Sequence, residues 1–248
     1  MDFVLTGATC ACALGRDNAE VLANLRRGAS PGMREISGDV PGRSVFFGLV
    51  PGELPPVADP EHDFRSCRLL AHAVANFGAP LADFVARHGP HRVAVVLGAS
   101  NTGIDEAETF VDEWFETGIK PAAMRFSMIE LGTPAEFLAR SLGVTGPAFV
   151  VSTACSSSTK AFASARRLIA AGACDAAIVG GVDGRCRFAL NGFQALGALA
   201  AGRCRPLAPD RDGINLGEGV ALFTLERRAV GDEDVILAGC GESSDAYH

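Results

Sequence analysis

Pro147-Ala148-Phe149-Val150-Val151-Ser152-Thr153-Ala154-Cys155-Ser156-Ser157-Ser158 decides the fold of this chain. The apolar run over 147–152 reads as a strand. It breaks at a Ser/Thr turn and passes at once into a helix expected over 156–171. In that helix Ala161, Phe162, Ala165, Leu168 and Ile169 recur on one face, and Gly172 ends it. A strand that delivers its end to a helix N-terminus is the unit of an α/β sheet. The same stretch singles out Cys155 at the junction. The free N–H groups of a helix N-terminus carry about half a positive charge. That field favours a thiolate, and the N–H groups can hold a developing oxyanion on an acyl carbonyl. A cysteine placed here suits attack on a thioester. The competing reading is a buried thiol in a Ser-rich helix cap.

Working outward, strands and helices alternate. Phe3–Thr6 reads as a strand ending at Gly7. Asn18–Arg27 reads as a helix with Asp17 as N-cap and Gly28 as stop. The Gly/Pro-rich stretch from Gly32 to Pro60 is expected to be loop with a short strand near Ser44–Val50. Phe64–Phe77 has helical spacing. The continuous apolar run Arg92–Gly98 predicts a strand buried on both faces. Ile104–Thr117 predicts a helix with an acidic face. Thr133–Leu142 predicts another, with Thr133 capping and Glu136 in the capping-box position. Further strands are expected at Ala176–Gly180, Glu218–Glu226 and Val235–Ala238. The class is α/β, with a parallel or mixed sheet between helices. The stretch Asp2–Gly7 resembles Asp234–Gly239, which predicts a structural repeat. On that reading residues 1–233 form a first domain, and 234–248 begin a second half.

The 248 residues hold 22 basic and 29 acidic side chains, a net charge of −7, with 48% apolar residues. That is a globular composition. The acidic balance argues against a nucleic-acid partner, and no apolar run reaches the roughly 18 residues of a membrane span. Met1–Leu14 lacks the basic flank of a signal peptide and reads as a first strand, which points to the cytoplasm. None of the eight cysteines has a C-x-x-C partner, so no metal site and no disulfide scaffold are expected. Cys10 and Cys12 are expected to point apart, and most of the thiols to be small buried hydrophobes.

Several motifs in order carry a resemblance. They are Ser152-Thr153-Ala154-Cys155-Ser156-Ser157-Ser158, Val179-Gly180-Gly181-Val182-Asp183, Asn191-Gly192-Phe193, Ala198-Leu199, and Arg205-Pro206 followed by Asp210-Arg211-Asp212-Gly213 and Gly217-Glu218-Gly219. The ending Ser243–His248 belongs with them. Together they resemble the elongating β-ketoacyl-acyl carrier protein synthases, over nearly the whole chain. The resemblance implies the N-terminal half of a thiolase-like, layered α-β-α-β-α fold with no cofactor. It implies that Cys155 takes an acyl group from an acyl carrier protein. Malonyl carrier protein then loses carbon dioxide, and the resulting carbanion attacks the acyl thioester. The partners implied are an acyl carrier protein and a second subunit, in a homodimer or heterodimer.

The family also uses two histidines and a lysine from its C-terminal half, and their sequence contexts do not occur here. His62, His72, His88 and His91 read as structural or solvated, and His248 lies in the post-strand motif. The chain is therefore expected to be a fragment, a partner of a split enzyme or a decayed copy, unable to elongate an acyl chain alone. Phe193 and Asn101 match positions that line the family's acyl pocket. The turn Gly98–Gly103 lacks the dinucleotide-binding spacing. A polar Asn101 argues against a plain fatty-acyl chain and admits a polyene or aryl-primed one. Arg65, Arg68, Lys120 and Arg125 match segments that dock the acidic carrier protein. Asp210, Arg211, Asp212 and Glu218 read as structural. The alternative function is a non-catalytic chain-length or partner subunit, against which Cys155 argues. A degradative thiolase fits these motifs less well.

Overall fold

A computed structural model describes residues 1–244; Asp245 to His248, with most of the post-strand motif, lie outside the described residues. The chain forms β1 (Asp2–Cys12), α1 (Asn18–Arg27), β2 (Met33–Val40), β3 (Arg43–Gly48), α2 (Arg65–Phe77) and α3 (Ala79–His88). There follow β4 (Val93–Gly98), α4 (Ile104–Thr117), α5 (Thr133–Leu142), β5 (Ala148–Val151), α6 (Ser157–Ala170), β6 (Ala176–Asp183) and α7 (Arg187–Ala195). Last come β7 (Leu216–Gly217), β8 (Gly219–Arg228) and β9 (Val235–Ile236).

The main sheet has the order β5-β4-β6-β8-β1-β9. β5, β4 and β6 run parallel, and β8 lies antiparallel to both β6 and β1. Every residue of β4 is buried, as a strand covered on both faces requires. Its side chains alternate between two cores. Val93, Val95 and Leu97 meet Leu69 and Leu70 of α2, Leu81 of α3 and Leu138 of α5. Ala94 and Val96 meet Ala161, Ala165 and Ile169 of α6. The alanines keep α6 thin where it lies on the sheet. A smaller sheet, β2-β3-β7, packs Val40, Val45 and Phe47 against Leu190 of α7. Among the described residues no single helix is long and apolar enough to cross a membrane.

Several expectations need correction. β1 does not stop at Gly7; its register with β8 shifts between Leu5 and Gly7, and the strand continues to Cys12. The glycine is there because a Cβ would lie 2.8 Å from Phe77 Cζ of α2. Cys10 and Cys12 do not point apart, because residues two apart on a strand share a face. The segment 33–40, expected as loop, is the first arm of the β2–β3 hairpin, with Met33 opposite Gly48. Thr133 does not cap α5: Gly132 is the N-cap with no side-chain bond, and Thr133 is buried. Glu136 reaches forward to Arg140 at 2.9 Å instead of back. The Asp17 cap is as expected, with Oδ1 accepting the Glu20 N–H at 2.8 Å, and Gly28 closes α1 at φ +63. The strand expected at Val235–Ala238 forms over Val235–Ile236 and pairs antiparallel with Val4 and Leu5 on the edge of the first sheet.

Candidate active site

β5 delivers Val151 to the edge of the sheet, and α6 begins six residues later. Between them Ala154 adopts φ +52, a left-handed conformation that costs a non-glycine residue about 1–2 kcal/mol. Hydroxyls knit the turn. Ser157 Oγ accepts the Thr153 N–H at 2.8 Å, and Ser156 Oγ–H donates to the Thr153 carbonyl at 2.8 Å. Two glycines let the first turn of α6 sit against the sheet. A Cβ at Gly98 would lie 2.2 Å from Ser158 N, and one at Gly181 would lie 2.0 Å from Ser158 Oγ. Gly98 and Gly181 are register partners on β4 and β6.

This packing presents Cys155, whose residue is exposed. Among the described residues its backbone N–H has no protein acceptor. A cavity of about 330 Å³ opens beside it, walled by Ser100, Asn101, Ala154, Asp183, Gly184, Cys186, Phe193, Ile214 and Leu216, among others. Main-sheet strand ends form one side. Phe47 and Leu216 of the small sheet, with Phe193 of α7, form the other. Burial pushes the Cys186 thiol up to about 11, so it stays protonated while Cys155 is open to reagents.

Phe193 and Asn101 therefore share one cavity with Cys155. Phe193 also packs on the Val40–Phe47 core. The Asn101 side chain is engaged with backbone: its Oδ1 accepts the Gly184 N–H at 3.0 Å. Its polarity thus has a structural use, tying the turn after β4 to the residue after Asp183.

The four basic residues do not form one free patch. Arg65 turns inward, its Nε donating to Glu218 Oε2 at 2.8 Å, with Glu218 buried and also accepting the Val50 N–H at 2.8 Å. Arg65 is thus not a free outward charge, because its guanidinium neutralises a buried carboxylate. Arg68 forks onto Asp63, and Arg125 pairs with Glu61 at 2.8 Å. These two flank one segment, 61–63. Lys120 is exposed beyond α4.

Among the described residues, the histidines stand away from the cavity. His62 bonds Asp59 at 2.7 Å, His72 Nε2 meets the Arg16 carbonyl at 2.8 Å, and His88 Nε2 meets Glu226 at 2.7 Å. Glu218 is structural, and so is the 210–212 turn, where Asp210 pairs with Arg205 and Asp212 accepts the Ala201 N–H. Sequence reasoning missed Asp183 and Glu108. Glu108 of α4 caps α7 by accepting the N–H groups of Arg187 and Phe188 at 3.0 and 2.6 Å. Its only local signal was a carboxylate on the helix after the Gly98 turn.

The comparisons with known proteins agree with this geometry. Residues 58–230 match the family model "Beta-ketoacyl synthase, N-terminal domain". The chain is 30% identical to nodulation protein E of Rhizobium leguminosarum bv. trifolii over 262 residues, covering 98% of this chain and 64% of that protein. Among solved structures it resembles the ketosynthase (ApeO) in complex with its chain length factor (ApeC) from Xenorhabdus doucetiae, at TM-score 0.86 and 39% identity. That match covers 92% of this chain and 59% of the other. The ishigamide ketosynthase/chain length factor follows at TM-score 0.78 and 26% identity, covering 91% and 58%. The chain thus spans about 64% of the length of the curated relative, and its fold is the thiolase-like layered one. By its strand–turn–helix motifs and by the family match over 58–230, the chain belongs to the beta-ketoacyl synthase family.

Proposed function

We propose that this chain, residues 1–233 with the opening of a second half, is the N-terminal part of a β-ketoacyl-acyl carrier protein synthase. The observation that carries the reading is Cys155, exposed at the N-terminus of α6 and open to a mostly apolar cavity. The Cys155 sulfur attacks the carbonyl carbon of an acyl thioester on the carrier protein. The oxyanion that forms faces the Cys155 N–H. Collapse of the tetrahedral intermediate expels the carrier thiolate, which takes up a proton, and leaves the acyl group on Cys155. Malonyl carrier protein then loses carbon dioxide. Its carbanion forms a C–C bond to the Cys155-bound carbonyl, and the Cys155 thiolate leaves. The product is a β-ketoacyl thioester two carbons longer.

The residues that assist decarboxylation lie, on this reading, in the length of the relatives that the chain does not span. Arg68, Lys120 and Arg125 are the docking charges for an acidic carrier protein, with Arg65 bracing the wall behind them. A second subunit, alike or different, completes the assembly. The presence of Cys155 favours the synthase over a non-catalytic chain-length subunit. In the complete enzyme, Cys155→Ala abolishes acyl-enzyme formation and elongation of malonyl substrate. Elongation at the parent rate by that variant would refute the reading. An intact polypeptide mass well above 25.7 kDa, read under denaturing conditions on the protein from its native source, supports the fragment part of it, and a polypeptide mass equal to that figure would refute that part.

A further inference from the structure

Asp183 ends β6 in the wall of the Cys155 cavity, half-buried. Its Oδ1 accepts the N–H groups of Ser100 and Asn101 at 2.7 and 2.8 Å. Asn101 returns the tie, since its own Oδ1 accepts the N–H of Gly184, the residue after Asp183. The loops after β4 and β6 thus clasp each other by three hydrogen bonds. Ser100 carries the clasp onward: its hydroxyl donates to the Ala154 carbonyl at 3.3 Å. Ala154 is the left-handed residue beside Cys155. Burial raises the Asp183 carboxyl, while the N–H groups of Asn101 and Ser100 pull it down. Among the described residues no cation lies within ion-pair distance of it. A carboxylate that accepts N–H groups from a neighbouring loop ties the two loops together, and charge-assisted bonds of this kind are the strong ones.

We propose that Asp183 is a positioning residue that, through Ser100 and Asn101, fixes both the turn carrying Cys155 and the wall facing the acyl chain. The proposal rests on the reading that Cys155 receives an acyl group. It is tested with two reagents of one chemistry, iodoacetamide and N-octyl iodoacetamide. With each, the Cys155 sulfur forms a C–S bond to the methylene carbon, iodide leaves and the thiol proton passes to solvent. The tail of the second samples the cavity wall.

In the intact protein, Asp183→Leu should slow the octyl reagent about tenfold relative to iodoacetamide, as expected when charge-assisted bonds are lost. Asp183→Asn keeps a carbonyl acceptor and should restore the parental ratio. Ser100→Ala cuts the hydroxyl link to Ala154 and leaves both backbone N–H bonds to Asp183 in place. It should slow both reagents about threefold at unchanged ratio, the effect of one modest hydrogen bond. A melting temperature near the parent's separates these effects from unfolding. If Asp183→Leu does not fold, Asn101→Ala replaces it, since it opens the same wall from the other side. An unchanged reagent ratio in the folded wall variant overturns the proposal. A parent whose Cys155 is alkylated by both reagents but accepts no acyl group from a thioester overturns the functional reading instead, and the reagent ratio still judges the clasp.

Discussion

Gly98→Ala isolates the contact on which the position of Cys155 depends. The added Cβ would lie 2.2 Å from Ser158 N and 2.4 Å from Ser157 C and Ser158 Cα. All three are helix backbone, so no side chain can swing away. The helix must move out by about 1.2 Å to bring the shortest of these to an ordinary 3.4 Å contact. That shift lifts Ala161 and Ala165 from Ala94 and Val96, and overpacking of this kind costs about 1–3 kcal/mol. Cys155 moves with the turn, and a displacement near 1 Å can cost roughly 100-fold in rate. Urea unfolding reads the first effect, and elongation by the complete enzyme reads the second. Gly181→Ala should be milder, because its nearest obstacle is the Ser158 hydroxyl at 2.0 Å, and Ser158→Ala should relieve part of that clash. Gly98→Ala with parental stability and parental elongation would refute the argument. So would a Gly181→Ala that is the worse of the two.

Glu218→Ala leaves Arg65 and the Val50 N–H without their buried acceptor; the expected loss is about 3–5 kcal/mol by chemical denaturation, and a loss under about 1 kcal/mol would show the pair to be dispensable. Gly192 lies inside α7 with nothing within 4 Å of a Cβ, so Gly192→Ala should stabilise by about 0.5–1 kcal/mol, and destabilisation would mean that the helix is covered there. Burial raises the Asp183 carboxyl, and also Asp105 and Glu106. Above the ordinary carboxylate range the native state then holds protons that the unfolded chain has released, so these groups make stability fall as pH rises through that window. Asp183→Asn should flatten the fall in urea midpoint from mildly acidic to neutral pH, and an unchanged slope would place the carboxylate in a wetter setting.

The parts of the fold that were legible in the sequence are those where local chemistry and burial agree. β4 is a pure apolar run, α1 carries Asp17 and Gly28 at its ends, and α6 shows its Ala161–Ala165–Ile169 stripe. What was not legible depends on partners far away in the chain. Gly7 reads as a strand end until Phe77 is seen against it. β2 has no alternation of its own and is a strand only because β3 pairs with it. No element was expected at Asn191-Gly192-Phe193, yet Glu108 caps that segment into α7 from another helix. The site divides the same way. Cys155 was visible from the strand–turn–helix order alone. Asp183 was not, because its work is done on Ser100 and Asn101, more than eighty residues earlier. The Arg65 ion pair was hidden for the same reason: its partner Glu218 is distant in sequence.

The place of β1 in the main sheet sets a schedule for synthesis. β1, made before the other strands described here, is paired along its length with β8, Asp2 opposite Arg228 and Cys12 opposite Gly219. At about 5–20 residues per second, a ribosome needs roughly 10–40 s to go from one to the other. Throughout that time Phe3, Val4 and Leu5 have no strand to bind. Pairings this long-range are also closed slowly, since loop entropy is lost before contacts repay it. The nascent chain therefore carries an open, apolar β edge until almost all of the chain seen here has emerged.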